Sequence, residues 1–267
     1  MKKKDIKIIF IDIDWTIYDH KHHKYDLKSI KALNKLQKDG VKIVITTARP
    51  YYSVKDFHVF DLIKPDGLIL SCGAVTIYDD KLIHASYIDK DVLYKIVEVC
   101  KKHDLCIEMV ETYDRFYATK KNDYVDYHHV IFKENVANQK EYSGQDINSL
   151  LLFAPKELDE TLQKELPKSL RYLRFSDYGV DLIMSPRDKG DAVKRLLEYL
   201  SIDKEYAMSF GDDFSDMKMN QYVHYGIAMG NGRDELKEVS FDVTSPVWKH
   251  GIYHYLRRNR LIKIFCL

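Results

Sequence analysis

The chain has 267 residues, 45% hydrophobic and 31% charged, an ordinary globular composition with enough length for one large domain or two modest ones. Its 42 Lys and Arg against 41 Asp and Glu leave a formal charge of +1, which excludes the global basic field that recruits nucleic acid or an anionic membrane. The early apolar run Ile8 to Ile11 is far short of the roughly 20 residues of a spanning helix and no signal-peptide cleavage region follows it, so a cytoplasmic protein with no membrane partner is expected.

In chain order, Ile6 to Ile13 is a nearly continuous β-branched run, the pattern of a strand buried on both faces of a parallel sheet. Leu27, Ile30, Leu33 and Leu36 then recur at helical spacing, and Val41 to Ile45 is a second short apolar strand, completing a β-α-β unit. The middle of the chain reads differently. Lys81 to Tyr87 is a mixed strand, and Val92, Ile96, Val99 and Cys100 mark a helix. Cys106 to Glu111 and Arg115 to Thr119 flank a hairpin turn. A polar stretch rich in Tyr, His and Lys leads to a strand at Ile147 to Ala154, a helix opened by Pro155, and strands near Tyr172 to Ser176 and Val180 to Met184. From helix Ala192 to Leu200 onward the alternation resumes, with strands Tyr206 to Phe210 and Tyr225 to Ala228 and a helix around Arg233 to Val239. The pattern predicts a doubly wound α/β core with a parallel sheet, spanning residues 1–80 and 185–267, and an inserted α+β module over residues 81–184. The four cysteines, Cys72, Cys100, Cys106 and Cys266, include no Cys-x-x-Cys pair and read as reduced, mostly packing thiols.

Polar groups concentrate where these strands and helices end. The first strand runs into Asp12-Ile13-Asp14-Trp15-Thr16. Carboxyl ends of parallel strands are where ligands bind, and an i, i+2 spacing can aim two carboxylates into one crevice, although an isolated Asp-x-Asp more often reads as a solvated loop. Thr46-Thr47-Ala48-Arg49-Pro50 closes the second strand with hydroxyls and an Arg, donors for a phosphate or simply a helix N-cap. Lys189 opens a helix, where a cation is disfavoured, so it is either solvated or held by an anion. Gly211-Asp212-Asp213-Phe214-Ser215-Asp216 places three acids after a buried strand, an arrangement that is costly without a hard cation such as Mg²⁺.

Together, in this chain order, the Asp pair, the strand-end hydroxyl, the Lys and the acidic loop resemble the haloacid dehalogenase superfamily of phosphohydrolases. Thr47-Ala48-Arg49-Pro50, Lys189-Gly190, Gly211-Asp212 with Asp216, and Ala228-Met229-Gly230-Asn231 look most like its Cof-type branch. Thr47 follows Asp12 by 35 residues but precedes Lys189 by 142, so the extra module enters after the second motif, which in this superfamily is a C2 cap, here resembling type IIB. The resemblance implies Asp12 as nucleophile, Asp14 as general acid and base, and Thr47 and Lys189 on the transferring phosphoryl group. Arg49 and Ser215 would join them in binding phosphate or substrate, Asp213 and Asp216 would stand behind them, and Asp12, Asp14 and Asp212 would hold Mg²⁺. Four residues depart from the family pattern: Trp15 and Asp213 replace Gly, Ser215 replaces Asn, and Cys72 replaces the Asn of Asn-Gly-Ala. A bulky ring at position 15 is expected to adopt ordinary backbone dihedrals.

The expectation is a Mg²⁺-dependent phosphatase acting on a small phosphorylated metabolite, a sugar phosphate by family default, through an aspartyl-phosphate. Its rivals are a phosphomutase of the same cap class and a catalytically weak regulatory protein that binds a phospho-ligand. His20, His22 and His23 read as a solvated loop rather than a zinc site. His128 and His129 read as part of a packed face, with a cap surface toward substrate as the alternative. The exact substrate and the oligomeric state cannot be read from the residues.

Overall fold

The computed structural model describes residues 6–132, 135–184 and 186–262, with side chains of residues 131 and 132 left aside; Cys266, noted above, lies outside the described residues. Two compact units emerge. One runs up to Ala48, resumes over Phe60–His84 and continues from Asp188, while the other comprises Arg49–Val59 and Ala85–Arg187. No helix among the described residues is long and apolar enough to cross a membrane.

The first unit is built on an eight-stranded sheet. Its strands lie in the order Asp242–Val243, Tyr225–Ala228, Ala207–Gly211, Ile8–Ile11, Lys42–Thr46, Gly67–Leu70, Val75–Tyr78 and Lys81–Ala85. The first six are parallel to one another, as a doubly wound α/β core requires. Ile8, Ile9, Phe10 and Ile11 are all fully buried, which is why that strand carries no polar alternation. The helix Leu27–Lys38 begins at Asp26, whose carboxylate accepts the Ser29 N–H at 3.2 Å. Helix Lys189–Tyr199 buries Ala192, Val193, Leu196 and Leu197 against Ile8, Phe10 and Val44.

One element lands elsewhere than its pattern suggests. Lys81–Ala85, expected in the inserted module, forms the edge strand of the core sheet. Asp79 and Asp80 both take left-handed dihedrals, φ 50° and 57°, and so make the tight two-residue turn that returns the chain beside Val75–Tyr78. A half-exposed edge strand reads as mixed in any sheet; its turn decides which sheet it joins.

The second unit carries a six-stranded sheet in the order Asn138–Gln139, Arg115–Tyr117, Cys106–Val110, Ser149–Phe153, Gly179–Met184, Leu170–Arg174. All its pairings are antiparallel except the first. Helix Lys90–Lys102 lays Leu93, Ile96 and Cys100 on Ile107, Met109, Leu150, Leu152 and Leu182. The polar stretch with no evident pattern contains a helix, Asp123–Phe132. Among its described side chains Val125, His128 and His129 are buried, at the i, i+3, i+4 spacing of an inward face, with histidines standing where aliphatic residues would reveal it. His129 shares a 2.7 Å hydrogen bond with the Tyr117 hydroxyl, and the His128 ring packs edge-on against Phe153 and Phe175. Both histidines thus belong to the interior of the unit. Arg49–Val59 joins this unit through its short helix Tyr51–Asp56: the Tyr52 hydroxyl donates to Glu108, and the Arg115 guanidinium lies 3.6 Å from the centre of the Tyr52 ring. Cys72, Cys100 and Cys106 are buried.

Candidate active site

The parallel register brings three strand ends together, because Ile11 lies beside Phe210 on one side and Ile45 on the other. The next residues are Asp12, Gly211 with Asp212, and Thr46 with Thr47. Asp12 is tied in by its N–H, which donates to the Phe210 carbonyl at 3.1 Å, and Thr47 by its N–H to the Ile69 carbonyl at 2.9 Å. Asp12 and Thr47 are both buried. Carboxylate oxygens of Asp12, Asp212 and Asp216 lie within 4.8 Å of one another. Gly211 allows this crowding, since a Cβ there would meet the Asp216 Cγ at 2.4 Å.

Lys189 enters the cluster from the start of its helix. Asp188 caps that helix by accepting the Asp191 N–H at 2.9 Å, which leaves Lys189 at the first helical position. The Lys189 Nζ donates to Asp12 Oδ1 and Asp216 Oδ1, both at 2.7 Å, with its side chain only 1% exposed. Of the two readings its position allows, the anion-held one is correct, and the anions are the chain's own carboxylates. Burial alone would pull the Lys189 ammonium down; Asp12 and Asp216 outweigh it and hold it well above the ordinary lysine range.

The carboxylates outnumber that cation. Burial, with Asp216 and Asp14 nearby, pushes the Asp12 carboxyl up despite Lys189, and burial with Asp12 and Asp216 does the same to Asp212. Asp216 is otherwise engaged: its Oδ1 accepts from Lys189 and its Oδ2 accepts the N–H groups of Asp212 and Asp213 at 3.0 and 3.1 Å. That leaves Asp12 and Asp212 as hard oxygen donors whose mutual repulsion a divalent cation would relieve, and the set fits such an ion. Thr16 was given no role by the sequence reading, yet its buried hydroxyl donates toward Asp212 Oδ1 at 3.4 Å. Its place in the Asp-x-Asp-x-Thr run was the available signal.

This sequence matches the family model described as haloacid dehalogenase-like hydrolase over residues 9–256. The chain belongs to this family. It is 28% identical to YkrA of Bacillus subtilis strain 168, provisionally named a phosphatase, over 97% of this chain and all of that one. A hypothetical protein of Geobacillus kaustophilus HTA426 shares its structure with a TM-score of 0.88 at 26% identity, covering 96% of this chain and 100% of that one. The subclass IIB sugar phosphatase BT4131 has the same fold, with a TM-score of 0.79 at 23% identity over 96% of this chain and 100% of that one.

The remaining site residues of this haloacid dehalogenase-like hydrolase are distributed unevenly. Asp14 is partly exposed, and its Oδ1 lies 2.7 Å from His20 Nε2 rather than in the carboxylate cluster. Asp213 turns outward to an ion pair with Arg233, with both side chains about half exposed, and does not join Asp216 behind the cluster. Ser215 is half-buried in the turn Phe214–Asp216. Arg49 belongs to the second unit, where it donates to Ser53 Oγ at 2.9 Å and lies over the Phe57 ring.

Two of the residues that depart from the family pattern take left-handed dihedrals. Cys72 has φ 54° where Asn, tolerant of left-handed dihedrals, would be at ease. Trp15 has φ 58°, so the expectation of ordinary dihedrals is overturned: the turn out of the strand demands this conformation whatever side chain stands there. The turn is bound at both ends, with the Trp15 N–H donating to the Tyr18 carbonyl at 2.8 Å and Asn231 Nδ2 donating to the Trp15 carbonyl at 2.9 Å. His20, expected in a solvated loop, instead bonds to Asp14, because nothing in a Lys- and His-rich loop signals that one ring folds back six residues onto a carboxylate.

Proposed function

We propose that this phosphatase hydrolyses a small phosphorylated metabolite, a sugar phosphate or similar monoester, through an aspartyl-phosphate on Asp12. The observation that carries the reading is Lys189, a buried cation bonded to both Asp12 and Asp216. Its charge keeps the Asp12 carboxylate available as a nucleophile and stands ready for the oxygens of a transferring phosphoryl group. In the first half-reaction an Asp12 oxygen bonds to phosphorus as the ester P–O bond breaks, and Asp14 passes a proton to the departing alkoxide. In the second, Asp14 takes a proton from the water that attacks the aspartyl-phosphate, inorganic phosphate leaves, and the Asp12 carboxylate is restored.

Thr47 joins Lys189 on the non-bridging oxygens, with Ser215 close by in the acidic loop, and Asp216 holds Lys189 in place. Asp12, Asp212 and the backbone carbonyl of Asp14 would hold Mg²⁺, which supplies cancellation of the repulsion between an anionic nucleophile and a phosphate dianion. The second unit takes the part of the cap, and the family resemblance assigns Arg49 to substrate.

The test is phosphate release from a panel of phosphorylated metabolites, run with Mg²⁺ and with excess chelator. Metal-dependent release of inorganic phosphate from one or more monoesters is expected. Retention of phosphate in the organic fraction would point to transfer onto a second hydroxyl instead. Equal rates in chelator would remove the metal from the mechanism.

A further inference from the structure

We infer that His20 is a positioning residue that aims the Asp14 carboxyl, with Trp15 as its brace. This rests on the acid-base role proposed above for Asp14. His20 sits at the tip of a small hairpin formed by Tyr18–Asp19 and Lys24–Tyr25. Its Nε2 is 2.7 Å from Asp14 Oδ1; a carboxylate oxygen only accepts, so Nε2 carries the hydrogen and donates it.

Three aromatic rings fix the direction of that bond. The His20 ring lies 5.2 Å from Trp15 and 4.8 Å, edge-on, from Tyr18, which in turn packs edge-on at 4.9 Å against Tyr25. A solvated loop, the reading the sequence favours, would account for neither the bond nor the stack. The stack also accounts for Trp15. A bulky residue rarely adopts a left-handed φ, yet here the chain holds Trp15 in one, with its ring against His20.

The consequence for the chemistry is directional. The Asp14 side chain is 32% exposed, so water reaches its carboxyl. The N–H of His20 engages Oδ1, so the proton that Asp14 transfers rides on Oδ2. When the ester P–O bond breaks, that proton passes from Oδ2 to the leaving oxygen, while the hydrogen on His20 Nε2 stays where it is throughout. His20 neither gives nor takes a proton; it decides which oxygen does.

The experiment uses the full chain with Mg²⁺ and two ester classes: the sugar phosphate from the panel that reacts fastest, and 4-nitrophenyl phosphate, whose leaving group departs without a proton. The readout is kcat/KM, which covers formation of the aspartyl-phosphate and excludes its hydrolysis. His20→Ala is expected to lower kcat/KM for the sugar phosphate by about 10- to 100-fold, within the range of general acid catalysis, and by roughly tenfold less for the aryl ester. His20→Gln, whose amide can still donate, restores most of the difference. Trp15→Gly shifts the ratio of the two esters in the same direction but by less; an unchanged ratio removes the brace. An equal fall on both esters in His20→Ala, the mark of a merely structural role, overturns the proposal, and so does no fall on either. Asp14→Asn is the control that separates the two readings. If it keeps sugar phosphate turnover, the acid-base assignment itself fails; if it abolishes turnover while His20→Ala treats both esters alike, only the His20 inference fails.

Discussion

Each unit buries a cluster of charges, and the two clusters are settled differently. In the second unit Glu108 is fully buried beside Arg115, whose guanidinium lies 3.7 Å from Glu108 and 3.6 Å from Asp56. There each acid also accepts from a neutral donor: the Tyr52 hydroxyl donates to Glu108 and the Asn135 N–H to Asp56. That cluster fastens a helix to a sheet. At the strand ends of the first unit, Lys189 faces Asp12, Asp212 and Asp216, and burial drives two of those carboxyls up. Acids outnumber the cation in both clusters, two to one and three to one; the larger surplus, with its raised carboxyls, marks the strand ends as the candidate site.

The strongest way to break this comparison is to remove the proposed nucleophile. Asp12→Asn is expected to lower phosphate release by roughly 10⁴-fold or more, the scale on which loss of a nucleophile is felt, while thermal melting stays close to that of the parent because one repulsion is relieved. Substantial residual turnover in rigorously purified variant would show that Asp12 is not the attacking group.

Next come matched cation deletions. Lys189→Met and Arg115→Met each strip a buried cation from its acids and should cost about 3–5 kcal/mol in denaturant titrations. Only Lys189→Met should also silence the folded protein; Arg115→Met is expected to retain turnover within a few-fold once corrected for the folded fraction. Loss of activity in both would erase the distinction between site and tie.

A subtler effect concerns pH. Asp12 and Asp212 have raised carboxyls in the folded protein without metal, so the folded state binds more protons than the unfolded chain above the ordinary Asp value of about 4. Stability without metal should therefore fall as pH rises from that point toward the raised values. Mg²⁺ should flatten the slope by stabilising the ionised pair and should raise the melting temperature most at the alkaline end. A melting temperature in chelator that climbs with pH over this range would contradict the assignment.

The smallest expected change separates two adjacent acids of one loop. Asp213→Asn, at a half-exposed pair with Arg233, should cost under about 1 kcal/mol and alter kcat little. Asp216→Asn, which weakens the hold on Lys189 and on two backbone amides, should be felt strongly in kcat. Equal effects would put Asp213 back beside Asp216.

By itself the sequence determined the α/β core, the order of its polar strand ends and the identities of Asp12, Asp14, Thr47, Lys189, Asp212 and Asp216 as residues of interest. These are local facts: a β-branched run, a spacing of two, an acid cluster after a buried strand. Only the tertiary structure decided that Lys189 pairs with acids 177 and 27 positions away, that Asp216 turns inward while Asp213 turns out, and that His20 folds back onto Asp14. It also decided that Lys81–Ala85 joins the core sheet and Arg49–Val59 the second unit. The reason is physical. Residue type and spacing set which face of an element a side chain occupies, whereas its partner depends on strand register and on turns such as those at Trp15 and Asp79-Asp80, where backbone dihedrals depart from what the side chains prefer and the rest of the fold compels them.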